Sequence, residues 1–529
     1  MTTARHWLLQ TLGIATAVNA TVRGANAQTP RISPPPPCRA VGRAPVIELI
    51  EQPTPTGIVV AVLPLEARLS SDNQVHLPWA VAGGISNGLS ALPGVAAPTR
   101  GSIERASAGA AGRFDEFARL TGARLVVAGV VTSTRGGASV SLRVLEPGIK
   151  APRWEREFDY PRTSLASIED QVVSAVSEIL AIKRPVEQSR PSVDVAAYDE
   201  IASGDFFLAQ HDVWAADSAR AAYERALIRL PNSAVVQAKL ARAYATALER
   251  RGRVSPLGPV PSARQANTLV DRALKTDSST AEAWIARGIL ERVRDPGLLG
   301  SAVRAHERAV RLAPRSADAH HELAVTLLRL GRDEAAESHL RKALTLDRDR
   351  ATSLRVLAEL EYVARRYPAA CALVNASIGA DSYDPLAYAL RARVRMRLDE
   401  FRDAFSDAET ARRLSGAAWG ESLQFYVTAY AREFDAAKSD AQRLSRSKLR
   451  AGSTLGIREA AYLSMGLSAV GSRDKAFDAL ARARPRGAEL RSALRDPGFD
   501  AMRSDPRFAR VGREEPAPVA NAPRARPGS

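Results

Sequence analysis

Alanines recur at a fixed interval through the second half of this chain. Ala302, Ala336, Ala370 and Ala404 are 34 residues apart. So are Ala309, Ala343, Ser377 and Ala411, and also Ala324, Ala358 and Ala392. His306, Leu340, Val374 and Ala408 make a fourth column with the same spacing. A period near 34 with small residues in register predicts stacked helix–turn–helix units. Small side chains let paired helices approach to about 8–10 Å, and a bulky residue at Ala336 or Ala404 pushes them apart. Earlier units follow the period less strictly. Trp284 and Gly288 open one of them, and Gly288 precedes Ala324 by 36 residues, which places two extra residues near Asp295-Pro296-Gly297. Residues 250–262 read as an insertion between two helices. The helical array is predicted over 195–511, as about eight helix pairs. Pro497 to Met502, continuing to Phe508, forms a cap over the last apolar face.

The stretch 58–183 has a different rhythm. Ile58 to Leu63 is a continuous apolar run that suits a buried strand. A helical pattern covers Trp79 to Leu92, a short strand lies near Val95, and Phe114 to Thr121 reads as a helix. Arg124 to Ser133 and Ser139 to Leu145 flank Gly136-Gly137 and predict a hairpin. Arg153 to Tyr160 is a further strand. Ile168, Val172, Val176 and Ile179 mark a closing helix. Strands alternating with helices imply a small α/β layer. The predicted fold class is therefore α+β and multidomain, an α/β unit followed by an all-α superhelical solenoid.

These patterns resemble two known families. The 34-residue units are similar to tetratricopeptide repeats over more than half the chain. The stretch 58–183 resembles the TolB amino-terminal-like domain, through Val62-Leu63-Pro64, Gly84-Ile85-Ser86 with Leu89, Gly122-Ala123-Arg124, Val126 to Val131, Trp154 and Ile168-Glu169-Asp170. Leu65 stands where that family usually has an aromatic residue, and Gly83 where it has an acidic one. The resemblance implies a protein-interaction scaffold with a regulatory front unit, and not an enzyme. The alternative it leaves open is a signalling or transcription-regulatory module whose α/β unit binds a small molecule.

The ends follow their own logic. Arg5, an apolar stretch from Trp7 to Val22 and Ala25-Asn26-Ala27 match an export signal over 1–27, cleaved near Ala27. The expected destination is the periplasm, with the cytoplasm as the alternative. Residues 28–57 are a proline-rich spacer, 184–194 a linker and 512–529 a tail. No other segment approaches the roughly 20 apolar residues of a membrane helix. Cys38 and Cys371 are the only cysteines and lie in different units, so no disulfide is expected between them.

Net charge is +16, and only eight of the 74 basic residues are lysine. The arginines are mixed with acidic residues along helices, and no dense basic run carries interleaved aromatics. Nucleic acid is therefore not an expected partner. His320-His321-Glu322, with His306 and His339 nearby, is the only histidine cluster, but adjacent helical residues point about 100° apart. No metal or cofactor is predicted. Gly83 to Gly88 lacks the lysine and hydroxyl of a phosphate loop and reads as helix–strand packing.

The candidate site is the inner helical stripe. Asp318, His321, Val325 and Leu328 share one face, and the 34-residue offset gives Thr352, Arg355, Glu359 and Tyr362, then Leu386, Ala389, Arg393 and Met396. By the tetratricopeptide resemblance this stripe lines a concave groove. His321, Arg355, Tyr362, Arg393 and Arg397 are the candidate binding residues, suited to an acidic or C-terminal carboxylate peptide.

Overall fold

The structure, a computed structural model, describes residues 37–38, 57–69, 75–98, 103, 106, 114–183, 194–208, 215–249, 263–294, 296–348, 350–431, 434–450, 453–484 and 488–511. The predicted export signal, most of the spacer, the 250–262 insertion, nearly all of the linker and the 512–529 tail lie outside these residues.

A small sheet occupies the front of the chain. Its strands are β1 (Ile58–Val62), β2 (Glu66–Arg68), β3 (Val95–Ala96), β4 (Ala123–Thr134), β5 (Gly137–Leu145) and β6 (Trp154–Tyr160). The order is β3-β1-β4-β5-β6, and β2 pairs with the far end of β4. Pairing is parallel from β3 to β4 and antiparallel through the β4–β5 hairpin to β6. The continuous apolar run of β1 has a physical reason: both faces of the sheet are covered. Val60 and Val62 meet α1 (Leu77–Ser90) and α3 (Leu165–Ile179), while Val59 and Ala61 meet Phe117 of α2 (Phe114–Thr121). Gly84 and Gly88 serve packing, but between helices and not between helix and strand. A Cβ on Gly84 would lie 2.0 Å from Glu169, and one on Gly88 2.7 Å from Val173, both on α3.

Helices follow in pairs. They are α4 (Val195–Leu208) with α5 (Ala215–Arg229), α6 (Ala234–Glu249) with α7 (Ala263–Thr276), and α8 (Ala281–Arg294) with α9 (Leu299–Leu312). Next come α10 (Ala317–Arg329) with α11 (Asp333–Leu346), α12 (Ala351–Val363) with α13 (Tyr367–Ala380), and α14 (Pro385–Arg397) with α15 (Phe401–Ser415). The last pairs are α16 (Trp419–Tyr430) with α17 (Phe434–Lys448) and α18 (Ile457–Ala469) with α19 (Arg473–Ala481). This is a helix-pair solenoid of tetratricopeptide type, with eight pairs among the described residues. Among those residues no strand lies between 300 and 415.

The alanine columns form the seams. Ala302, Ala309, Ala324, Ala336, Ala343, Ala358, Ala370, Ala392, Ala404 and Ala411 are all fully buried. Gly288 does the same work in its unit. A Cβ there would sit 2.3 Å from the His306 ring, so the bulkiest member of the fourth column faces the smallest partner.

Two features depart from the sequence-based picture. Leu455 and Gly456, inside the array predicted to be all-α, form a short strand paired with Ala483 and Arg484. Cys38 and Cys371 are joined in a disulfide that spans 333 residues, contrary to expectation. Separation along the sequence gave no hint of it, because the array brings Cys371 to a surface that the segment before the sheet can reach. The sheet also docks on the first repeat. Tyr198 donates to Glu169 at 2.8 Å, Tyr160 donates to Asp199 at 2.9 Å, and the Trp79 and Phe206 rings meet edge-on at 5.7 Å.

Candidate functional site

The first helices of the pairs carry charged residues that bond from one unit to another. Arg242 on α6 donates to Glu282 at 3.2 Å and to Asp318 at 2.5 Å. Asp318 also takes Arg350. Burial alone would raise the Asp318 carboxyl, but Arg242 and Arg350 hold it well below the usual carboxylate range. Arg292 on α8 bonds Glu249 at 3.0 Å, Glu322 at 2.7 Å and the Thr326 hydroxyl at 3.1 Å. Its side chain is 1% exposed, so this pairing is enclosed and not a surface decoration. Arg329 bonds the same Glu249 at 3.0 Å.

The predicted binding residues sit deeper than the sequence suggested. His321 was expected to face the groove, but it is buried between α10 and α12, with Nδ1 2.9 Å from the Ser353 hydroxyl. Burial, helped by the Arg350 guanidinium, lowers its pKa to about 3. His320 points the other way and meets His339, Nδ1 to Nδ1 at 2.9 Å. Arg355 donates to Asp384 at 2.8 Å, and Asp384 also caps α14 by accepting from the Leu386 backbone. Arg397 donates to the Tyr430 hydroxyl at 2.7 Å and lies over that ring.

Tyr362 and Arg393 are covered by the chain itself. After α19 come α20 (Ala488–Ala493), a 3₁₀ turn over Pro497–Met502 and α21 (Pro506–Val511). This segment runs across the first helices of the fourth, fifth and sixth pairs, α10, α12 and α14. Asp496 accepts from Tyr362 at 3.0 Å and from Arg393 at 2.5 Å. The Arg393 guanidinium also lies over the Tyr362 and Tyr462 rings and reaches Glu359 at 3.2 Å. Glu489 pairs with Arg329, Arg495 with Asp333 at 2.8 Å, and Asp500 with Arg365 at 2.7 Å. Phe499 and Met502 are buried in the core. The close approach needs glycine: a Cβ on Gly498 would lie 2.1 Å from the Met465 sulfur and 2.6 Å from the Tyr426 hydroxyl. The sequence marked Pro497 to Met502 as a cap for the last unit, but not the reach of Asp496 back to α12 and α14.

No protein-family model matches this sequence, and no curated protein matches it. Solved structures do resemble its chain path. The Cut9–Hcn1 hetero-tetramer of APC/C is 13% identical, with 65% of this chain and 59% of that chain covered and a TM-score of 0.43. Yeast Tom70 is 13% identical, with 83% and 84% covered and a TM-score of 0.34. A tetratricopeptide protein of Thermus thermophilus, TTC0263, is 21% identical, with 38% and 99% covered and a TM-score of 0.31.

What the inner face can do chemically follows from its groups. Among the described residues, no group of three or more His, Cys, Asp or Glu is placed to hold a metal ion. None of the described helices is long and apolar enough to cross a membrane. Beside the covering segment lie the half-buried Arg355 and Glu359 on α12 and Arg397 on α14, with the exposed Arg458 on α18. Arg393, Arg355 and Arg458 together lower the Glu359 carboxyl, against the upward push of its burial.

Proposed function

We propose that this chain is a non-catalytic interaction scaffold whose concave face engages acidic protein segments. One observation carries the reading: the face already holds a carboxylate of the chain's own covering segment, because Asp496 is seated on Arg393 and Tyr362. Charge-assisted bonds to arginine in a tyrosine-lined setting are the chemistry that an acidic peptide would use. The chain's own segment fills the Tyr362–Arg393 end. A partner therefore meets the stretch beside it, at Arg355, Arg458 and the half-buried Arg397. Such contacts are only partly shielded, so binding is modest and weakens with salt.

The sheet unit, on its TolB-like resemblance, is the regulatory front of the scaffold in this proposal. It is well placed to act on the array, since Tyr198 and Phe206 of the first repeat pack against it. Export to the periplasm is proposed as well. The Cys38–Cys371 disulfide supports it, because such bonds persist in oxidising compartments.

The test is cross-linking of the tagged full-length chain in its native cell, read by mass spectrometry. Partners should cross-link near α12 and α18, and Arg355→Glu with Arg458→Glu should remove them while leaving helicity unchanged. An identical partner set in the double variant contradicts the reading.

A further inference from the structure

The disulfide brings residue 38 to α13, but the sulfur bond is only part of what holds it there. Asn375 lies one helical turn beyond Cys371 on the same face. The Cys38 backbone N–H donates to Asn375 Oδ1 at 3.3 Å, and Asn375 Nδ2 donates to the Cys38 carbonyl at 3.2 Å. The side-chain amide thus pairs with both backbone groups of one residue, as a neighbouring strand residue would. Its orientation is fixed from the other side. Arg391 Nη1 donates to the same Oδ1 at 3.2 Å, and a guanidinium can only donate, so the oxygen must face Arg391. Arg391 is in turn clamped by Asp407 through two bonds of 2.9 and 2.7 Å, with both side chains buried. The nitrogen is left for the Cys38 carbonyl, and it also lies 3.6 Å from the Cys371 sulfur.

We propose that Asn375, oriented by Arg391 and Asp407, is a positioning residue that docks the backbone of residue 38 and so directs the Cys38–Cys371 bond. The oxidant is a disulfide of the thiol-exchange class, such as oxidised glutathione or an oxidised dithiol oxidoreductase. The Cys38 thiolate attacks one sulfur of that disulfide and releases the other as a thiol. The resulting mixed disulfide docks on Asn375. The Cys371 thiolate then attacks the Cys38 sulfur and releases the second carrier thiol. Two protein thiols lose two electrons and two protons, and the carrier disulfide gains them as two thiols. This proposal does not depend on what the concave face binds.

The experiment equilibrates the full chain in glutathione redox buffers and reads the oxidised fraction by alkylation and mass spectrometry. Asn375→Asp keeps the size and the Arg391 contact but removes the donor facing Cys38. It should lower the equilibrium constant for the disulfide at least tenfold, about 30 mV in midpoint. An equilibrium constant lowered by less than tenfold would overturn the proposal. A second measurement uses the Cys38→Ala chain, which keeps the backbone groups of residue 38. There, Cys371 should be shielded from alkylation, and adding Asn375→Ala should speed its alkylation at least tenfold. An unchanged rate overturns the docking role independently of how the Asp variant behaves.

Discussion

The middle of the array and its C-terminal end are held together in different ways. In the middle, stabilising contacts join a unit to the next one or to the one after it. Arg292 reaches Thr326, 34 residues on, and Lys239 reaches Asp205 across the same interval. Around them, fully buried alanines set the spacing of the helices. At the end, the important contacts skip the repeat. Tyr362 bonds Asp496 across 134 residues, Arg365 bonds Asp500 across 135, and Arg495 bonds Asp333 across 162. A solenoid in which each unit touches only its neighbours gains stability unit by unit. The long-range ties add a closure, which makes units five and six depend on a segment more than 100 residues downstream.

The largest expected effect breaks that closure. Asp496→Ala removes the acceptor for the buried Tyr362 hydroxyl and leaves Arg393 with Glu359 alone. Removing one partner of a buried pair costs about 3–5 kcal/mol. Chemical denaturation should show the C-terminal units melting at lower denaturant than the middle ones. Asp318→Ala in the middle should cost less, because the Asp318 carboxylate is 28% exposed against 7% for Asp496. Equal costs would erase the difference between the two regions.

A second substitution tests the middle alone. In Gly288→Ala the new methyl meets the His306 ring, and overpacking of this kind costs about 1–3 kcal/mol. Replacing His306 by alanine, as Ala408 stands in the same column, should recover most of the loss. A thermodynamic cycle on the two changes should therefore show strong coupling. Additive costs would mean that the small-residue seam is not what sets the spacing.

Much of this was legible in the sequence, for a physical reason. Nearest-neighbour packing repeats along the chain, so the columns through Ala336 and His306 print it directly. The sheet was legible because β1 is buried on both faces and the hairpin turns at Gly136-Gly137. The closure was not legible. Nothing periodic links Asp496 to Tyr362, and the local pattern around Pro497 shows only a turn whose Asp accepts from the Gly498 backbone. His321, Tyr362 and Arg393 were placed on the inner face by periodicity, which is silent about what covers that face. The disulfide was hidden for the same reason.

A further effect is a pH dependence in the middle units. Burial, with Arg292 nearby, lowers His306 to about 3, against an ordinary 6.5. Between those values the unfolded chain takes up a proton that the folded chain refuses. Stability should therefore be complete above about pH 6.5 and fall as pH drops toward 3, at up to about 1.4 kcal/mol per pH unit for this one group. His306→Leu, which matches Leu340 in the same column, should flatten that slope in acid denaturation curves. His321, lowered in the same way, should keep part of it.

Native-state hydrogen exchange on the full chain tests the closure most directly. The amides of Leu494 and Phe499, which bond back to Leu490 and Asp496, report on the covering segment. They should be protected to the same level as the amides of α14 and lose protection together with them in Asp496→Ala. Fast exchange at Leu494 and Phe499 beside a fully protected α14 would contradict the account, because α12 and α14 would then hold without their covering segment.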